Sequence, residues 1–401
     1  MPSISNDSRH IAIIGGGIIG CSTLYYLVKD GLPANTQISL IEEAPNVAPA
    51  ASGKSGGFLA LDWHGADTAS LARLSFDLHR QLAESDGGEK KWGYRNVETI
   101  SIGFDDSKTR NKCPDELKGW LNGKHVISAS NMGGNGTTAQ ATPLPLVEHL
   151  VEQAKALGKG NVNVLCSTRA ERLEIDDSGH VKGLAIQNIN SKEQETLPIT
   201  DVVVAAGPWT GKLIKTLLPA ATQKNIPRYL RNAMQITGSR AHSIVIKAPQ
   251  PTTAHCLFTD MHYMRKGSST ARTGQAAGAP EVYCREDGTV YACGESDDVP
   301  LPPSATEVTF DKSHTKNLIE VVSHLSPSHL SIETGAKIEK EQACYLPISR
   351  SGPIIAGDQS TGIFVAAGHS CWGITLGLGT GKVVRQMLFG EKLSANISAL
   401  Q

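Results

Sequence analysis

The sequence lacks any apolar run that approaches the ~20 residues a helix needs to cross a bilayer. It also lacks an excess of either charge, because 38 Lys and Arg residues stand against 39 Asp and Glu residues. A chain without net positive charge has no field that attracts nucleic acid or an anionic membrane surface. We therefore expect no membrane span and no nucleic-acid partner.

Paired cysteines are lacking as well. The eight cysteines show no Cys-x-x-Cys spacing, and the 13 histidines show no metal-type spacing. Several cysteines lie in apolar or glycine-rich segments, as reduced core cysteines do. These patterns predict neither a disulfide framework nor a metal site. The short polar stretch before His10 leaves no room for a signal or transit peptide, and the C-terminal SALQ is not a peroxisomal tripeptide, so a cytoplasmic location is expected.

One stretch near the N-terminus carries a nucleotide-binding motif. Residues 11–14 predict a buried strand, and Gly15, Gly17 and Gly20 follow in Gly-x-Gly-x-x-Gly spacing before an apolar-faced helix. The glycines permit a tight turn, let the backbone approach a pyrophosphate and let helix and strand pack closely. The N–H groups at the helix start then face the phosphates. Glu42 ends the second predicted strand, where a carboxylate can accept hydrogen bonds from a ribose.

The rest of the chain alternates helical and β patterns. Residues 69–83 predict an amphipathic helix, and 162–187 predict a β-meander. A strand pair is expected at 281–285 and 289–293, and the small polar residues of 266–279 predict a mobile loop. Near the C-terminus a buried strand leads through a glycine-rich turn into a helix, whose start carries positive potential.

Four motifs, in this order, resemble the FAD-dependent oxidoreductases of the D-amino-acid oxidase superfamily, which includes glycine oxidase and monomeric sarcosine oxidase. The motifs are IAIIGGGIIG, ASGKSGG, VVVAAGPWT and LPISRSGPIIAG with GHSCWGI, and they cover nearly the whole chain. The GHSCWGI form most resembles a fungal subgroup with poorly defined substrates. The resemblance implies an α/β fold (α+β overall), with a Rossmann-type FAD-binding domain and a second, mostly antiparallel β-sheet substrate domain. The implied ranges are 8–62, 140–215 and 340–401 for the FAD-binding domain, and 63–139 and 216–339 for the substrate domain.

The resemblance also implies FAD as the cofactor, with its AMP half on the first βαβ unit. The glycine turn would meet the pyrophosphate, Glu42 the ribose and residues 52–57 the flavin. The last helix would stabilise negative charge at the N1–C2=O edge of the reduced flavin. The expected cofactor residues are Gly15, Gly17, Ile18, Ile19, Gly20, Glu42, Glu43, Ser52, Gly53, Lys54, Ser55, Gly56, Gly57, Arg169, Ala170, Ala206, Gly207, Trp209, Gly368, His369, Ser370, Trp372, Gly373, Ile374 and Thr375.

Three positions depart from this family's pattern. Leu346 stands where glycine oxidase and D-amino-acid oxidase carry an arginine that grips the substrate carboxylate, and Arg350 is a candidate replacement. Ala292 stands where we place the lysine with which sarcosine oxidase promotes reaction with oxygen, so the electron acceptor is either O2 or another molecule. Cys344 matches the position of covalent flavin attachment, although non-covalent FAD is the favoured expectation.

The family reaction transfers a hydride from a carbon bearing nitrogen to flavin N5 and gives an imine. Because the flavin carries this chemistry, no catalytic acid or base is required, and the catalytic residues stay unassigned. The expected function is oxidation of a C–N bond in a small-molecule amine or amino-acid derivative. The alternatives are a 2-hydroxy-acid dehydrogenase and a low-turnover flavoprotein with a regulatory or trafficking role.

Strand alternation indicates where the substrate would bind. Glu281, Tyr283 and Arg285 share one face of a predicted strand. If that face looks toward the flavin, Glu281 and Tyr283 could hold a cationic amine. Alternatively, Glu281 and Arg285 form a solvated pair at a strand edge. His64 and Trp372 are the remaining pocket candidates.

Overall fold

A computed structural model of the chain describes residues 8–218, 226–265 and 275–401. Its helices are α1 (Ile18–Lys29), α2 (Ala51–Lys54), α3 (Ala66–Asp86), α4 (Gly88–Trp92), α5 (Pro143–Gly158), α6 (Thr210–Leu217), α7 (Arg228–Ala233), α8 (Lys312–Leu325) and α9 (Gly373–Leu388). None of the helices in these ranges combines the length and the apolar character that crossing a membrane requires.

The strands of the same ranges fall into four sheets. In chain order they are β1 (Arg9–Ile14), β2 (Thr36–Ile41), β3 (Phe58–Ala60), β4 (Arg95–Asn96), β5 (Glu98–Asp105), β6 (Val126–Asn131), β7 (Thr138–Gln140), β8 (Val162–Leu165), β9 (Thr168–Ile175), β10 (Val181–Asn188), β11 (Gln194–Pro198), β12 (Asp201–Val204), β13 (Thr237–Lys247), β14 (His255–Met264), β15 (Gln275–Gly278), β16 (Glu281–Cys284), β17 (Thr289–Asp297), β18 (Lys337–Ile348), β19 (Ile354–Asp358) and β20 (Ile363–Ala367).

The first large sheet has the strand order β19-β20-β12-β1-β2-β8. All of its pairs are parallel except β19 with β20. Residues 11–14 of β1 are buried without interruption, as a parallel strand covered on both faces requires. Ile11 and Ile13 pack into a core with helices α1, α3, α5 and α9, while Ala12 and Ile14 pack with α6, α7 and the β9–β10 strands. This is the doubly covered sheet expected of a Rossmann-type domain.

The second large sheet has the order β18-β13-β17-β16-β14-β5-β6, and β15 pairs with β14. Its pairs are antiparallel except for β14 with β5. One face is buried against helix α8 through residues such as Leu318, which packs with Ile244 and Val290. The opposite face carries Phe258, Tyr283 and other aromatic side chains that pack around Phe58. Two smaller sheets have the orders β11-β10-β9 and β3-β7-β4.

The structure confirms the predicted fold class and corrects two local predictions. Strand β8 does not belong to the meander, because it pairs in parallel with β2 after the α5 crossover, and the meander is instead β9–β10–β11. Residues 275–278 of the predicted loop form β15, whose backbone pairs with β14, and the rest of that loop, 266–274, lies outside the described residues. Apolar periodicity alone cannot show which partner a short strand will find.

The proposed domain ranges remain a prediction. Strand β18 runs across the expected boundary at residue 340 and pairs with β13 along its length, from Thr237 opposite Ile348 to Lys247 opposite Lys337. Residues 340–348 therefore belong to the second sheet, although they were placed in the FAD-binding range. The ladder continues because both strands keep their antiparallel register through this point, apart from one bulge.

Candidate active site

A cavity of about 740 Å³ lies where the first large sheet meets the aromatic face of the second. The turns that follow β1, β12 and β20, the end of β2, and residues of β16, β17 and β18 all contribute to its wall. These turns lie at the carboxyl ends of parallel strands, where open α/β sheets bind ligands. The cavity therefore extends from the carboxyl-end edge of the first large sheet to the aromatic face of the second.

The turn after β1 is packed too tightly for any residue but glycine. Gly15 has φ +114°, and a Cβ there would collide with the Ala205 carbonyl oxygen. A Cβ on Gly17 would lie 3.0 Å from the Ser52 hydroxyl oxygen, which accepts a hydrogen bond from the Ile18 N–H at 2.9 Å. The other N–H groups of the first turn of α1 have no intrahelical acceptor, so they favour an anion at this end of the cavity.

The carboxylate of Glu42 holds this turn in place. Its Oε2 accepts the Gly16 N–H at 2.8 Å and its Oε1 accepts the Ala44 N–H at 2.8 Å. The side chain is buried and lines the cavity, and burial raises the pKa of its carboxyl group while the backbone donors oppose that rise. Each carboxylate oxygen can accept more than one hydrogen bond, so Glu42 can hold the turn and still bind a ribose hydroxyl.

Most residues expected to contact the cofactor line the cavity. Twenty-one of the 25 do so, and the exceptions are Gly20, Gly53, Lys54 and Thr375. Gly20 and Gly53 lack room for a Cβ because carbonyl oxygens of Gly15 and Ala48 approach them, so both glycines serve backbone packing. Lys54 Nζ donates to the Ala343 carbonyl oxygen at 3.2 Å, and Thr375 Oγ1 donates to the Phe58 carbonyl oxygen at 3.2 Å.

The turn after β20 brings the start of helix α9 to the cavity. Gly368 adopts φ +82° and Ser370 φ +50°, a left-handed conformation that is uncommon for a residue with a side chain. His369 is 3 % exposed, and its Nε2 lies 3.1 Å from Thr380 Oγ1. Burial lowers the pKa of His369 to about 3, so the imidazole is neutral at pH 7. At this wall the positive potential therefore comes from the N-terminus of α9 and not from a protonated His369.

Aromatic rings form the wall at the other end. Phe58 packs on Trp63 at 5.1 Å, on Phe258 at 5.5 Å and on Tyr283 at 5.6 Å between ring centroids. Trp63 also contacts Trp372 at 6.4 Å. All five rings line the cavity. Such a wall excludes water and favours an apolar or cationic ligand.

The structure separates the three residues expected to share one strand face. Glu281 and Tyr283 both line the cavity, and the Tyr283 hydroxyl donates to Glu281 Oε2. Strand β16 ends at Cys284, however, and Arg285 turns away to donate to the Ser55 carbonyl oxygen at 3.1 Å and to lie over the Tyr291 ring. The solvated Glu281–Arg285 pair is absent among these described contacts.

Of the remaining substrate-side candidates, Trp372 lines the cavity, whereas His64 and Arg350 do not. His64 is half-buried behind Trp372, with its Nε2 3.1 Å from the Ala60 carbonyl oxygen. Arg350 is exposed on the loop after β18 and does not line the cavity, whereas Leu346 does. The described positions thus bring neither His64 nor Arg350 to the cavity wall.

The expected position of the oxygen-promoting lysine needs correction. Ala292 is fully buried in the core under α8, on the face of the sheet that points away from the cavity. Its neighbours Tyr291 and Cys293 line the cavity, because successive residues of a strand point to opposite faces. Ala292 is therefore not the cavity-facing residue of β17.

Several lining residues were missed from the sequence. Phe258 lies on β14, whereas Tyr291 and Glu295 lie on β17, and the two strands contribute to one wall only through the pairing of the second sheet. The alternation of side chains along β14 and β17 indicates which residues share a face of the second sheet. It does not show which face meets the glycine-turn edge of the first sheet. Glu295 is held at the rim by His314, whose Nδ1 lies 2.7 Å from Glu295 Oε2.

Comparison with known proteins agrees with this geometry. A chain of Schizosaccharomyces pombe named "Putative oxidoreductase C1F5.03c" is 35 % identical over 409 residues, which cover 98 % of each chain. "Putative oxidoreductase TDA3" of Saccharomyces cerevisiae is 26 % identical over 533 residues, covering 99 % of this chain and 94 % of that one. The crystal structure of glycine oxidase from Geobacillus kaustophilus shares the fold, with a TM-score of 0.73, 17 % identity and 98 % coverage of both chains.

The family model DAO, described as FAD dependent oxidoreductase, matches residues 10–387. That match spans both large sheets and every stretch that lines the cavity. The resemblance inferred from the four sequence motifs is thereby confirmed. This chain belongs to the DAO family of FAD-dependent oxidoreductases.

Proposed function

We propose that this FAD-dependent oxidoreductase oxidises a C–N bond of an amine or amino-acid derivative. The observation that supports it most is the continuity of one cavity from the glycine turn at Gly15 to the carboxylate of Glu281. An extended dinucleotide would lie along the first part and leave its reactive ring beside the second. Bound FAD supplies a hydride acceptor for a carbon that bears nitrogen.

The residues present fit such a cofactor. The glycine turn leaves backbone at the surface where a Cβ would fill the space next to Glu42 or Ser52. The buried hydroxyl of Ser55 lines the cavity and has no hydrogen-bond partner among the described residues, which suits a polar ligand atom. The N-terminus of α9 faces the same space and favours developing negative charge.

The chain's own groups then bind and orient the amine. The aromatic wall keeps water from the reacting carbon, and Glu281, fixed by the Tyr283 hydroxyl, directs a cationic nitrogen. His369 stays neutral and holds the α9 turn through Thr380. Hydride loss from the carbon gives an imine only if the nitrogen also gives up its proton, so a bound ammonium releases that proton to solvent or to the Glu281 carboxylate before the hydride is transferred.

We propose non-covalent attachment of FAD. Cys344 lines the cavity, but burial raises the pKa of its thiol to about 11, although the positive charge of Lys54 opposes that rise. The neutral thiol is a poor nucleophile compared with the thiolate. The enzyme is proposed to use O2 or another electron acceptor. A cytoplasmic location is proposed as well, and all eight cysteines are unpaired, as a reducing compartment requires.

The test is the absorption spectrum of the purified protein followed by anaerobic reduction. We expect flavin absorption bands and bleaching by members of an amine panel under nitrogen. Bleaching by 2-hydroxy acids alone would contradict C–N oxidation and favour the hydroxy-acid alternative. A flavin that no compound of either panel reduces would also contradict it and favour a regulatory role.

A further inference from the structure

The charged groups that line the cavity are distributed unevenly. Arg169 and Lys212 lie at the nucleotide end, where Arg169 pairs with Glu43 at 2.6 Å and Lys212 sits on α6 beside β9. At the end formed by the second sheet, the charged lining residues are Glu281 and Glu295. Within residues 8–218, 226–265 and 275–401, no Arg or Lys lines that end.

This distribution disfavours a substrate carboxylate. An anion taken from water into an aromatic-walled site needs a counter-charge or several donors, or its desolvation is not offset. Leu346 supplies an apolar side chain at the wall, and the two carboxylates would repel a third. A cationic ligand is favoured instead, because Glu281 and Glu295 both attract it.

Glu281 sits at the centre of a row across the sheet. Its cross-strand neighbours are Phe258 on β14 and Cys293 on β17, and all three line the cavity. Directly opposed residues of neighbouring strands have Cβ atoms about 5 Å apart. The carboxylate of Glu281 therefore projects into the cavity with an aromatic ring on one side and a small thiol on the other.

The hydrogen bonds of Glu281 leave one oxygen open. The Tyr283 hydroxyl donates to Oε2, and the Cys293 thiol lies 3.7 Å from the same atom. None of the described residues donates to Oε1. The side chain is half-buried, so a ligand can reach it while much of its solvent is removed.

An aromatic cluster lines the same cavity as this carboxylate. Its rings are in contact with one another and belong to Phe58, Trp63, Phe258, Tyr283 and Trp372. A ring face attracts a cation, and the attraction is largest for a weakly hydrated cation such as an alkylated ammonium. N-alkyl groups also bury apolar area against the rings.

We propose that this site selects an N-alkylated ammonium cation that carries no carboxylate. The cation is bound by Glu281 and by the aromatic cluster of Phe58, Trp63, Phe258, Tyr283 and Trp372. The inference rests on the proposed function, since it names the substrate class of the same site. It differs from that function in being a statement about binding alone.

Three probes of one shape test it by calorimetry on the oxidised holoenzyme. Choline carries the cation, 3,3-dimethylbutan-1-ol is its neutral carbon isostere, and betaine is the matched compound with a carboxylate. A quaternary nitrogen has no lone pair and cannot form an imine, so no C–N oxidation accompanies binding. We expect choline to bind at least about tenfold more tightly than the other two, since the attraction of a desolvated cation to aromatic ring faces is of that size.

Two variants locate the effect. Glu281→Gln keeps the acceptor for the Tyr283 hydroxyl but removes the charge, and we expect it to weaken choline binding about tenfold while leaving the neutral isostere unchanged. Glu295→Gln removes the same charge from the rim, where Glu295 is held by His314, and we expect less than about a twofold change.

The outcomes distinguish the inference on binding from the proposed reaction. Betaine binding as tightly as choline, or an unaltered choline affinity in Glu281→Gln, would overturn the inference. If the choline pattern holds but no amine bleaches the flavin, the inference on binding stands and the proposed reaction fails. If amino acids bleach the flavin while betaine outcompetes choline, the reaction stands and the inference fails.

Discussion

The two ends of the cavity are built in different ways. The nucleotide end consists of backbone: Gly15, Gly16 and Gly17 form the cradle, and Glu42 holds it from the next strand of the same βαβ unit. The substrate end consists of side chains, in which Phe58 meets rings from β14 and β16 while Trp63 meets Trp372 of the α9 turn. Local backbone geometry forms one end of the cavity, and side chains assembled from distant segments form the other.

Gly15→Ala gives the largest expected effect and tests the backbone half of the comparison. The new Cβ would collide with the Ala205 carbonyl oxygen at a φ of +114°. We expect loss of bound FAD and a decrease of more than about 2 kcal/mol in the free energy of unfolding. FAD content by absorbance and urea unfolding measure both.

The matched control is Gly65→Ala, because Gly65 has an ordinary φ of −67° and nothing within 4 Å of its added Cβ. It should retain FAD and stability. A Gly15→Ala protein that keeps its flavin and its unfolding midpoint would show that the close approach of the backbone is not needed at the nucleotide end.

Acidification tests the junction between the two ends, where His369 lies. Burial lowers its pKa to about 3 in the folded state from 6.5 in the unfolded state, so the unfolded chain binds the proton first as pH falls. Stability supplied by the neutral imidazole is complete above pH 6.5 and is lost between that pH and about 3. From pH 7 to pH 5 the loss is about 2 kcal/mol.

Urea unfolding at pH 7 and pH 5 measures this loss, and His369→Gln should remove that part of the pH dependence. The control is His262→Gln, since His262 is 45 % exposed on β14 and should leave the pH dependence unchanged. An identical pH dependence in the wild-type and His369→Gln proteins would contradict a neutral buried imidazole.

Tyr283→Phe tests the end of the cavity that is built from side chains, and its expected effect is smaller. It removes the hydroxyl that donates to Glu281 but keeps the ring in the wall. We expect the rate of anaerobic flavin reduction by a substrate amine to fall about three- to tenfold, because the carboxylate loses one fixed donor, while FAD content stays the same. Stopped-flow bleaching measures the rate. Loss of FAD in this variant would mean that the two ends are not separable.

Cys344→Ala should have the smallest effect on the cofactor. Acid denaturation of the wild-type protein is expected to leave all yellow colour in the supernatant, and the variant should behave in the same way. Colour that precipitates with the wild-type protein but not with the variant would establish a covalent bond at this thiol, contrary to its raised pKa.

Of the 25 residues predicted to contact the cofactor, 21 line the cavity, and their contact with FAD stays a prediction. The glycine turn, Ser52 and the α9 start all line the cavity, because each belongs to a continuous strand–turn–helix segment whose conformation follows from its own residues. Even there, the bond from the Gly16 N–H to Glu42 was not foreseen, since the motif assigns that carboxylate only to the ribose.

Predictions for the substrate end were less successful. Ala292 proved to face the core, Arg285 lies past the end of its strand, and Phe258 was not recognised. Each error concerns a strand of the second sheet, where a shift of one residue moves every side chain to the opposite face. The register of those strands depends on partners far away in the chain.

The sequence by itself determined the family, the fold class and the cradle for the dinucleotide, because these depend on spacing within short segments. Only the tertiary structure decided that Glu281 shares the cavity with a cluster of aromatic side chains and that, among the described residues, no Arg or Lys lines that end. Those facts depend on which sheet face meets the first domain. Long-range strand pairing and packing set that choice, and neither is written in any single stretch of the chain.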